Sequence, residues 1–543
     1  MGKKNKDKKK GKGAEKTATK TEKKMSSKKK KELAEIGEED VENIVAKIEE
    51  EERKRQKVVQ LTVPPPSRRA NFALAAHPEK DELIFYGGEY FDGKNTTVHG
   101  DLLFYNISSN EWTLCKAPGS PPPRCGHQML ALPLEKGQLW VFGGEFQTPS
   151  QSQFYHYRDL WVFRLADKKW EKINAPGGPS ARSGHRMVYS KRQIIVFGGF
   201  HDNLSDYKYF NDVYIFSLDD FKWRKLEPSG TPPSPRSGCQ MVALKDGKIL
   251  IFGGYSKEKL KKDVDKGTVH MDSFLLSPDK NDTTGTKWKW ISTKPSGVRL
   301  PPRCSSSMAV APNNMAYLFG GVFDVEEGEE DLSGEFFNDF YVLDLEKIAW
   351  RTVTLSGKRS ENKPKRRQQK EGNMGELEAD ESEKSAEATL GEDDEEMEAE
   401  EAAPDATCIP APMTVSDDGI FKMTIGGMTP SSASNEATPG PEQKSVFMPS
   451  PRMSSGMVIK HGQLYLYGGL VEDGDKQLTL CDFYSLDIHK LDEWKTIIPN
   501  DLSSIEWLGS GSESEEDIED DADTEEDDES QSESSDEEDM DLN

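Results

Sequence analysis

The sequence predicts an all-β fold, a propeller of six four-stranded blades with disordered charged termini and a long disordered insertion. Three observations support this prediction. An apolar run that ends in a Gly-Gly pair occurs six times, the same arginine, aspartate and tryptophan flank each copy, and charge is concentrated outside the copies. Self-similarity at a period of this length indicates a repeat architecture, and four short strands per unit favour a propeller.

The Gly-Gly pairs set the period of the repeat. The first four pairs are 55 or 56 residues apart, and the fifth and sixth follow after 67 and 148 residues. Each pair ends an apolar run such as "QLWVF" (138–142), where glycine can adopt a positive φ and allow another backbone to approach closely. We therefore expect a structural role for Gly87, Gly88, Gly143, Gly144, Gly198, Gly199, Gly253, Gly254, Gly320, Gly321, Gly468 and Gly469.

Three further residue types recur around each pair and divide every unit into four strand-like runs. An arginine after a proline-rich stretch opens strand a, the glycines end strand b, an aspartate precedes strand c, and a tryptophan marks strand d. The arginines are expected to be structural, as are His127 and His185, which share one place in repeated "R-x-G-H" units. Large rings on strands c and d can fill the space between blades. The expected structural tryptophans are Trp112, Trp170, Trp223, Trp290, Trp350 and Trp494.

The repeats and the charge runs together predict the domain boundaries. We expect a basic disordered tail at 1–31, a short amphipathic helix at 32–57, a propeller at 64–498, a low-complexity insertion at 356–447 between blades five and six, and an acidic disordered tail at 506–543. The repeats span about 64–117, 118–175, 176–228, 229–294, 295–355 and 448–498. Six complete blades would close without exchanging a strand. The stretch "FKMTIGGMT" (421–429) is similar to a strand b, so a seventh blade stays an alternative.

The termini carry opposite charges. Residues 1–31 hold fifteen lysines and three acids, and 506–543 hold twenty acids and no base, in a chain of formal net charge −26. Such segments cannot bury a core. The basic one could contact nucleic acid or an acidic protein. Serines followed by acids are candidate phosphorylation sites for an acid-directed kinase: Ser512, Ser514, Ser532 and Ser535.

Composition argues against several other classes. The six cysteines show no CxxC or Cys/His ligand spacing, so we expect no disulfide framework, metal site or cofactor. No apolar run is long enough to span a membrane, and no apolar segment follows the lysines as a secretory signal would require. The sequence therefore predicts an intracellular soluble protein, cytoplasmic, nuclear or both.

The period, the Gly-Gly pairs and the tryptophans resemble the kelch repeat. The chain is similar to the kelch-repeat β-propeller family over about 64–498, apart from the insertion. The resemblance implies a propeller that holds other proteins, and some members recognise substrates for a ubiquitin ligase. Neither a BTB domain nor a leucine-rich box is evident at 1–63 or after 498. Because no P-loop, nucleophile triad or Cys–Tyr pairing appears, we expect no enzyme.

One face of the propeller is the expected binding surface. Strands alternate in direction within a blade, so the long b–c loops and the proline-rich d–a links share one face, and long loops commonly carry binding groups. We expect a monomeric, non-enzymatic scaffold that binds a protein partner there. A ubiquitin ligase recognition subunit is the alternative, with RNA association and catalysis less favoured. The expected partner-binding residues are Tyr155, His156, Tyr157, His201, Tyr207, Tyr209, Lys257, Lys261, Phe336 and Phe337.

Overall fold

The computed structural model of the protein describes residues 38–202, 207–261, 264–282, 285–326, 332–357, 446–474, 476–503 and 507–509, with backbone only at 260, 261, 264, 325, 326, 332 and 333. The basic tail, nearly all of the insertion and most of the acidic tail lie outside the described residues. The same holds for residues 421–429 and for the four candidate phosphorylation serines.

A single α-helix, α1 (Val41–Lys54), occurs among the described residues. Its N-cap is Asp40, whose Oδ1 accepts a hydrogen bond from the backbone N–H of Glu42 at 3.1 Å, as capping requires. The helix is shorter than the predicted 32–57, because residues 38–40 and 55–57 are not helical. Only one stripe of α1 is buried, at Val41 and Val45.

The strands of the first three blades follow in chain order. Blade 1 contains β1 (Val59–Val63), β2 (Ala73–Ala76), β3 (Glu82–Tyr86), β4 (Glu89–Phe91), β5 (Thr96–Val98), β6 (Leu102–Asn106) and β7 (Glu111–Lys116). Blade 2 contains β8 (Gln128–Leu132), β9 (Gln138–Phe142), β10 (Glu145–Gln147), β11 (Phe154–His156), β12 (Leu160–Arg164) and β13 (Lys169–Ile173). Blade 3 contains β14 (Arg186–Ser190), β15 (Gln193–Phe197), β16 (Phe200–Asp202), β17 (Tyr207–Tyr209), β18 (Val213–Ser217) and β19 (Lys222–Leu226).

The other three blades repeat this order. Blade 4 contains β20 (Gln240–Ala243), β21 (Ile249–Phe252), β22 (Tyr255–Lys261), β23 (Val264–Val269), β24 (Ser273–Pro278) and β25 (Trp288–Thr293). Blade 5 contains β26 (Ser296–Gly297), β27 (Ser307–Val310), β28 (Met315–Phe319), β29 (Val322–Glu326), β30 (Leu332–Phe336), β31 (Phe340–Asp344) and β32 (Ala349–Thr352). Blade 6 contains β33 (Gly456–Lys460), β34 (Gln463–Asp473), β35 (Lys476–Asp487) and β36 (Lys495–Ile498).

The described residues form a six-bladed β-propeller. Strands a to d of every blade come from one stretch of chain and pair antiparallel in that order, so the ring closes without exchanging a strand, as expected. The first blade has an additional outer strand, since β1 pairs antiparallel with β7. Its sheet therefore begins before the predicted start at residue 64. In blade 5 the short β26 pairs parallel with the outer strand β32.

The b–c connections are not the loops that the sequence suggested. Five blades carry a separate two-stranded hairpin there: β4–β5, β10–β11, β16–β17, β22–β23 and β29–β30. In blade 6, strands b and c themselves extend past Gly469 and form the sixth hairpin. We number the hairpins by their blades, and we call the side of the propeller that carries all six the hairpin face.

Aromatic rings pack each blade against its neighbour. The tryptophan of strand d contacts the last aromatic residue of strand b in the preceding blade, with ring centroids 5.4–6.3 Å apart. The pairs are Trp112–Tyr467, Trp170–Tyr86, Trp223–Phe142, Trp290–Phe197, Trp350–Phe252 and Trp494–Phe319. All six tryptophans are buried. Because the same contact joins blade 1 to blade 6, the aromatic layer runs around the whole ring.

Candidate protein-binding face

The repeated arginine, aspartate and glycine form one structural unit at the base of each hairpin. In blade 3, Arg182 donates two hydrogen bonds to the carboxylate of Asp212, at 2.6 and 3.1 Å, and a third to the carbonyl of Gly198 at 2.9 Å. The arginine thus ties the start of strand a to the end of b and the start of c. The equivalent ion pairs are Arg69–Asp101, Arg124–Asp159, Arg236–Asp272, Arg303–Asp339 and Arg452–Asp482.

In three blades the residue two positions before the aspartate is aromatic and packs on the arginine. Tyr157 and Phe337, both expected to bind a partner, lie with their ring centroids 4.1 Å from the guanidinium carbons of Arg124 and Arg303. Tyr157 is only 3% exposed, and its hydroxyl donates to the carbonyl of Pro123 at 3.1 Å. These two rings therefore support the framework of the face, and Tyr157 is not accessible to a partner.

Hairpins 3 and 4 bring three of the expected residues together. The ring of Tyr209 lies 6.1 Å from that of Tyr207 and 6.4 Å from that of Tyr255. The ammonium of Lys257 lies 5.6 Å from the centroid of Tyr207 and forms an ion pair with Asp265 at 2.9 Å. We call these five residues the tyrosine–lysine cluster. Burial raises the pKa of Tyr209, so its hydroxyl stays protonated.

Sequence reasoning missed Tyr255 and Asp265 in this cluster. They could have been found only by recognising that residues 255–261 and 264–269 form a hairpin. Its register puts Lys259 opposite Asp265 and Lys257 opposite Gly267. Tyr207 donates a hydrogen bond to Asp265 at 2.8 Å and so links the two hairpins. Phe336 ends β30 on hairpin 5, outside the cluster. The side chain of Lys261 lies outside what the structure describes.

Helix α1 covers hairpin 2. Val41 and Val45 pack against Tyr157, Phe146 and Tyr155. Tyr155 is only partly buried, and its ring contacts that of Tyr157 at 5.1 Å. Among the described residues, the chain itself therefore covers the hairpin face at hairpin 2.

Polar contacts fix α1 to the same hairpin. The backbone N–H of Val41 donates to Gln153 Oε1 at 3.1 Å, and Gln153 Nε2 donates to the carbonyl of Glu39 at 2.9 Å. The carboxylate of Glu38 accepts hydrogen bonds from the hydroxyls of Ser150 and Ser152, which lower its pKa although burial acts in the opposite direction.

Hairpins 1 to 3 enclose a group of buried and partly buried titratable side chains that includes His156 and His201. Their rings lie 4.6 Å apart, and His156 Nε2 is 3.4 Å from the carboxylate of Glu145. That nitrogen also accepts a hydrogen bond from the backbone of Asp202 at 3.0 Å. Burial lowers the pKa of His156 to about 3, so the imidazole is neutral. Ser183 Oγ donates to Glu145 at 3.1 Å.

Two glutamates of this group were not predicted, although both directly follow a Gly-Gly pair. Burial, with the neighbouring Glu89, raises the pKa of Glu145 to about 8. Burial also raises the pKa of Glu89, which accepts hydrogen bonds from Asn71 Nδ2 and Gln147 Nε2, both at 2.6 Å. In the described part of the chain, Nδ1 of His156 and Nδ1 of His201 have no hydrogen-bond partner, and no three His, Cys, Asp or Glu residues could hold a metal ion.

The described part of the chain contains no helix with the length and hydrophobicity that a membrane-spanning segment requires. The cysteines of the described residues, namely Cys115, Cys125, Cys239, Cys304 and Cys481, are not disulfide-bonded. Burial raises the pKa of the Cys125 thiol well above its usual range.

Comparison with known proteins gives a family model and several curated relatives. The model, described as FBX42, beta-propeller domain, matches residues 69–274. The flagellar outer arm dynein alpha chain of Chlamydomonas reinhardtii is 28% identical over 257 residues, which are 45% of this chain and 5% of that protein. Host cell factor 1 of Homo sapiens is 26% identical over 286 residues, 49% of this chain and 13% of that protein. The chain thus spans a small fraction of both relatives.

A third relative is covered over most of its length. The N-(sulfonatooxy)prop-2-enimidothioate sulfolyase of Thlaspi arvense is 24% identical over 293 residues, 52% of this chain and 79% of that protein. The repeated glycine, arginine and tryptophan positions take the same places in six blades, and the matched family model is itself a propeller. The described residues thus form a six-bladed propeller with kelch-type repeats, similar to the FBX42 beta-propeller family model.

Proposed function

We propose that this protein is a non-enzymatic scaffold that binds a partner protein through its hairpin face. The observation that carries the proposal is the projection of six β-hairpins on one face, with the tyrosine–lysine cluster between two of them. Aromatic and basic side chains held by hairpins are what the centre of a protein interface needs. The likeness to host cell factor 1 and to a propeller family model supports a scaffold rather than a catalyst.

The cluster is well suited to contact a protein surface. Tyr207 and Tyr209 are partly exposed, and Tyr207 is braced by Lys257 and Asp265. Because the rings are already ordered by contacts within the protein, little side-chain entropy is lost on binding. Phe336, on hairpin 5, is partly exposed and extends the same face.

Affinity purification from cells with quantitative mass spectrometry tests the proposal. The full chain is compared with a variant carrying Tyr207→Ala and Tyr209→Ala, and with Phe221→Ala as the matched control. Phe221 is 51% exposed and lies in a c–d turn on the opposite face. We expect a partner that the control retains and the double variant loses. Equal recovery of every partner by the two variants would remove the hairpin face from the proposal.

The same purification decides between the scaffold and the ubiquitin ligase alternative. A recognition subunit would use the same face but would also recover a cullin, and recovery of the cullin would survive the double substitution. The basic tail at 1–31 is predicted to carry any contact with nucleic acid or an acidic protein. The monomeric state is part of the proposal, and an intracellular location is expected. Fractionation and size-exclusion chromatography of the native protein check the last two points.

An enzyme is a second candidate because of the match to the Thlaspi arvense sulfolyase. The carboxyl of Glu145, with its pKa raised to about 8, is the group in the described residues best suited to donate a proton at neutral pH. An assay of the purified full chain with that relative's substrate decides the point. Turnover that Glu145→Gln abolishes would favour the enzyme, and its absence would favour the scaffold.

A further inference from the structure

Three backbone hydrogen bonds recur between neighbouring blades at five of the six interfaces. In the first, the second glycine of a pair donates to the carbonyl of the next blade's arginine, at 2.9–3.1 Å. In the second, that arginine's N–H donates back to the carbonyl two residues before the preceding blade's aspartate, at 3.0–3.1 Å. At the interface of blades 3 and 4, for example, Gly199 donates to Arg236, and Arg236 donates to Phe210.

The third bond forms a ring around the propeller axis. It joins the residue two positions after each arginine to its counterpart in the adjacent blade, at 2.9–3.2 Å. The donor and acceptor pairs are Gly126 to Asn71, Gly184 to Gly126, Gly238 to Gly184, Ser454 to Ser305 and Asn71 to Ser454. Blades 6 and 1, where the ends of the propeller meet, are joined by all three bonds.

None of the three bonds is present between blades 4 and 5, where every residue concerned is described. The three donors are the N–H groups of Gly254, Arg303 and Ser305. The three acceptors are the carbonyls of Arg303, His270 and Gly238. None of these six groups has a hydrogen-bond partner within the described residues. We call this interface the open seam.

Steric contacts show the same opening. A Cβ added to the first glycine of a pair would lie 2.4–2.7 Å from the next blade's arginine carbonyl at five interfaces. At Gly253 it would lie 3.7 Å from His270 and within 4 Å of no atom of blade 5. The seam is closed only at its base, where Phe252 contacts Trp350 at 5.5 Å and Gln240 Nε2 donates to the carbonyl of Ser306 at 2.7 Å.

A cavity of about 570 Å³ fills the open seam. Its lining combines Gly238, Gly254, Arg303 and Ser305, which carry five of the six unpaired backbone groups, with apolar side chains, among them Phe252, Leu300, Leu318 and Trp350. Met271 and Val298 lie at its edge and are 45% and 42% exposed. Two exposed cations, Lys294 and Arg299, also line it. Unpaired backbone groups at a partly buried site are costly, so a ligand that pairs them gains affinity.

We propose that the open seam binds an extended segment of the partner protein. The inference rests on the proposed function, since the seam opens on the hairpin face. A peptide main chain carries alternating donors and acceptors and so can pair with both edges, as in strand addition to a sheet. One apolar side chain of the segment enters the cavity, and acidic residues beside it face Lys294 and Arg299.

The first test selects linear peptides displayed on phage against the purified full chain. Affinities of selected peptides are then measured for the wild type, for a seam variant with Met271→Glu and Val298→Glu, and for a control with Val59→Glu and Leu61→Glu. The control residues are 38% and 48% exposed and lie on β1, the outer strand of blade 1. We expect selected peptides with an acidic and apolar pattern, bound about tenfold or more weakly by the seam variant alone.

Hydrogen exchange of the backbone amides gives an independent readout that does not depend on a substitution. In the free protein, the amides of Gly254, Arg303 and Ser305 should exchange faster than those of Gly199, Arg236 and Gly184. Adding a selected peptide should protect the three seam amides. Equal protection of the seam amides and their counterparts in the free protein would mean that the seam is closed in solution, which would overturn the inference. Failure to select peptides whose binding depends on the seam would also overturn it.

The two proposals can fail separately. A cellular partner that is lost with the Tyr207 and Tyr209 substitutions but retained by the seam variant leaves the hairpin face in place and removes the seam. If peptides that depend on the seam can be selected only after deletion of 358–445 or 510–543, the occupant of the seam in the full chain is its own acidic segment. That result would overturn the assignment to a partner protein.

Discussion

The arginine that opens each strand a is fully or almost fully buried. Its guanidinium donates hydrogen bonds to the glycine carbonyl at the end of strand b and to the aspartate before strand c. Arg182 has no exposed surface, pairs with both oxygens of Asp212, and stacks on Phe210 at 4.1 Å. A lysine offers neither the paired geometry nor the flat surface for stacking. The structural role expected for these arginines has its physical basis in these contacts.

Substitution of Arg182 by lysine measures that role. We expect Arg182→Lys to lower the free energy of unfolding by ~3 kcal/mol, because it leaves part of the partly buried Asp212 carboxylate unpaired and places an ammonium in a fully buried position. The matched control is Arg192→Lys, since Arg192 pairs with Asp219 at the surface and is 52% exposed. Urea unfolding of both variants should show no measurable change for the control. Equal effects would contradict the assignment.

Gly144 tests the second residue of the Gly-Gly pair. Its φ is +92°, and an added Cβ would lie 2.7 Å from the carbonyl of Cys125. Strain and collision together should make Gly144→Ala cost ~3 kcal/mol of unfolding free energy. At Gly177 the φ is +82° but no atom lies within 4 Å of an added Cβ, so Gly177→Ala should cost ~1 kcal/mol. A thermal or urea unfolding series separates the two contributions.

The raised pKa of Glu145 makes stability depend on pH. The folded protein keeps a proton up to about pH 8, whereas the unfolded chain loses it near ~4.3. The protonated carboxyl of Glu145 therefore stabilises the folded protein fully at a pH below its pKa in the unfolded chain. This stabilisation is lost as the pH rises through its pKa in the folded protein. Glu145→Gln should match the wild type near about pH 4 and exceed it by up to ~5 kcal/mol near about pH 9.

Urea midpoints measured across this range check the prediction, with the exposed Glu111→Gln as the control. The control should follow the wild type at every pH. If the urea midpoints of the wild type and of Glu145→Gln changed with pH in parallel, the carboxyl of Glu145 would be ionised in the folded protein at neutral pH, and the prediction would be wrong.

At the scale of elements, the six hairpins and α1 decide which parts of the binding face are open. The helix has one apolar stripe, and we expect this stripe to be its main anchor on the propeller. Val45→Asp should release α1 and make tryptic cleavage at Lys47 and Arg53 about tenfold faster or more, with little change in the melting temperature of the propeller. Ala46→Asp, on the exposed side of the same turn, is the control.

Release of α1 would also change the binding face. Tyr155 and Phe146 would become accessible on hairpin 2, so the Val45→Asp variant should bind more partner if the partner spans hairpins 2 to 4. Unchanged proteolysis of α1 in this variant would contradict the apolar contact as the main anchor.

The short elements could not be predicted from the sequence, although the long ones could. Strands b and c are apolar runs of about five residues bounded by glycine and aspartate, so their existence and order were evident. The hairpin strands Glu145–Gln147 and Phe154–His156 have three residues each and no apolar alternation. They form because Cys125 pairs through its backbone with Glu145, which lies 20 residues further along the chain, and because Arg124 donates a hydrogen bond to the carbonyl of Gly143.

The same reasoning applies to the expected site residues. Tyr207, Tyr209 and Lys257 were identified because aromatic and basic residues stood out in long connections, and the structure brings them together. Tyr157 looked equivalent in the sequence, but its position two residues before Asp159 places it under Arg124. Sequence period alone could not show the open seam either, since blades 4 and 5 keep the same glycine, arginine and aspartate as the others.

At the scale of the whole molecule, the insertion between blades 5 and 6 is predicted to be separable from the propeller. The two described ends of this connection meet, because a Cβ on Gly357 would lie 3.4 Å from Cγ2 of Val446. Blade 6 also holds one of these ends, since Gly357 donates to the carbonyl of Asp492 at 2.9 Å. A short Gly-Ser linker can therefore replace residues 358–445.

Shortening this connection lowers the entropy cost of bringing blade 6 to blade 5. We expect the deletion variant to unfold with a free energy ~2 kcal/mol higher than that of the wild type. A Gly-Ser linker of the original length is the control and should match the wild type. Denaturant unfolding measures the difference. A deletion variant less stable than both would mean that residues 358–445 contribute contacts to the propeller, because loss of a passive loop can only reduce the entropy that folding must overcome.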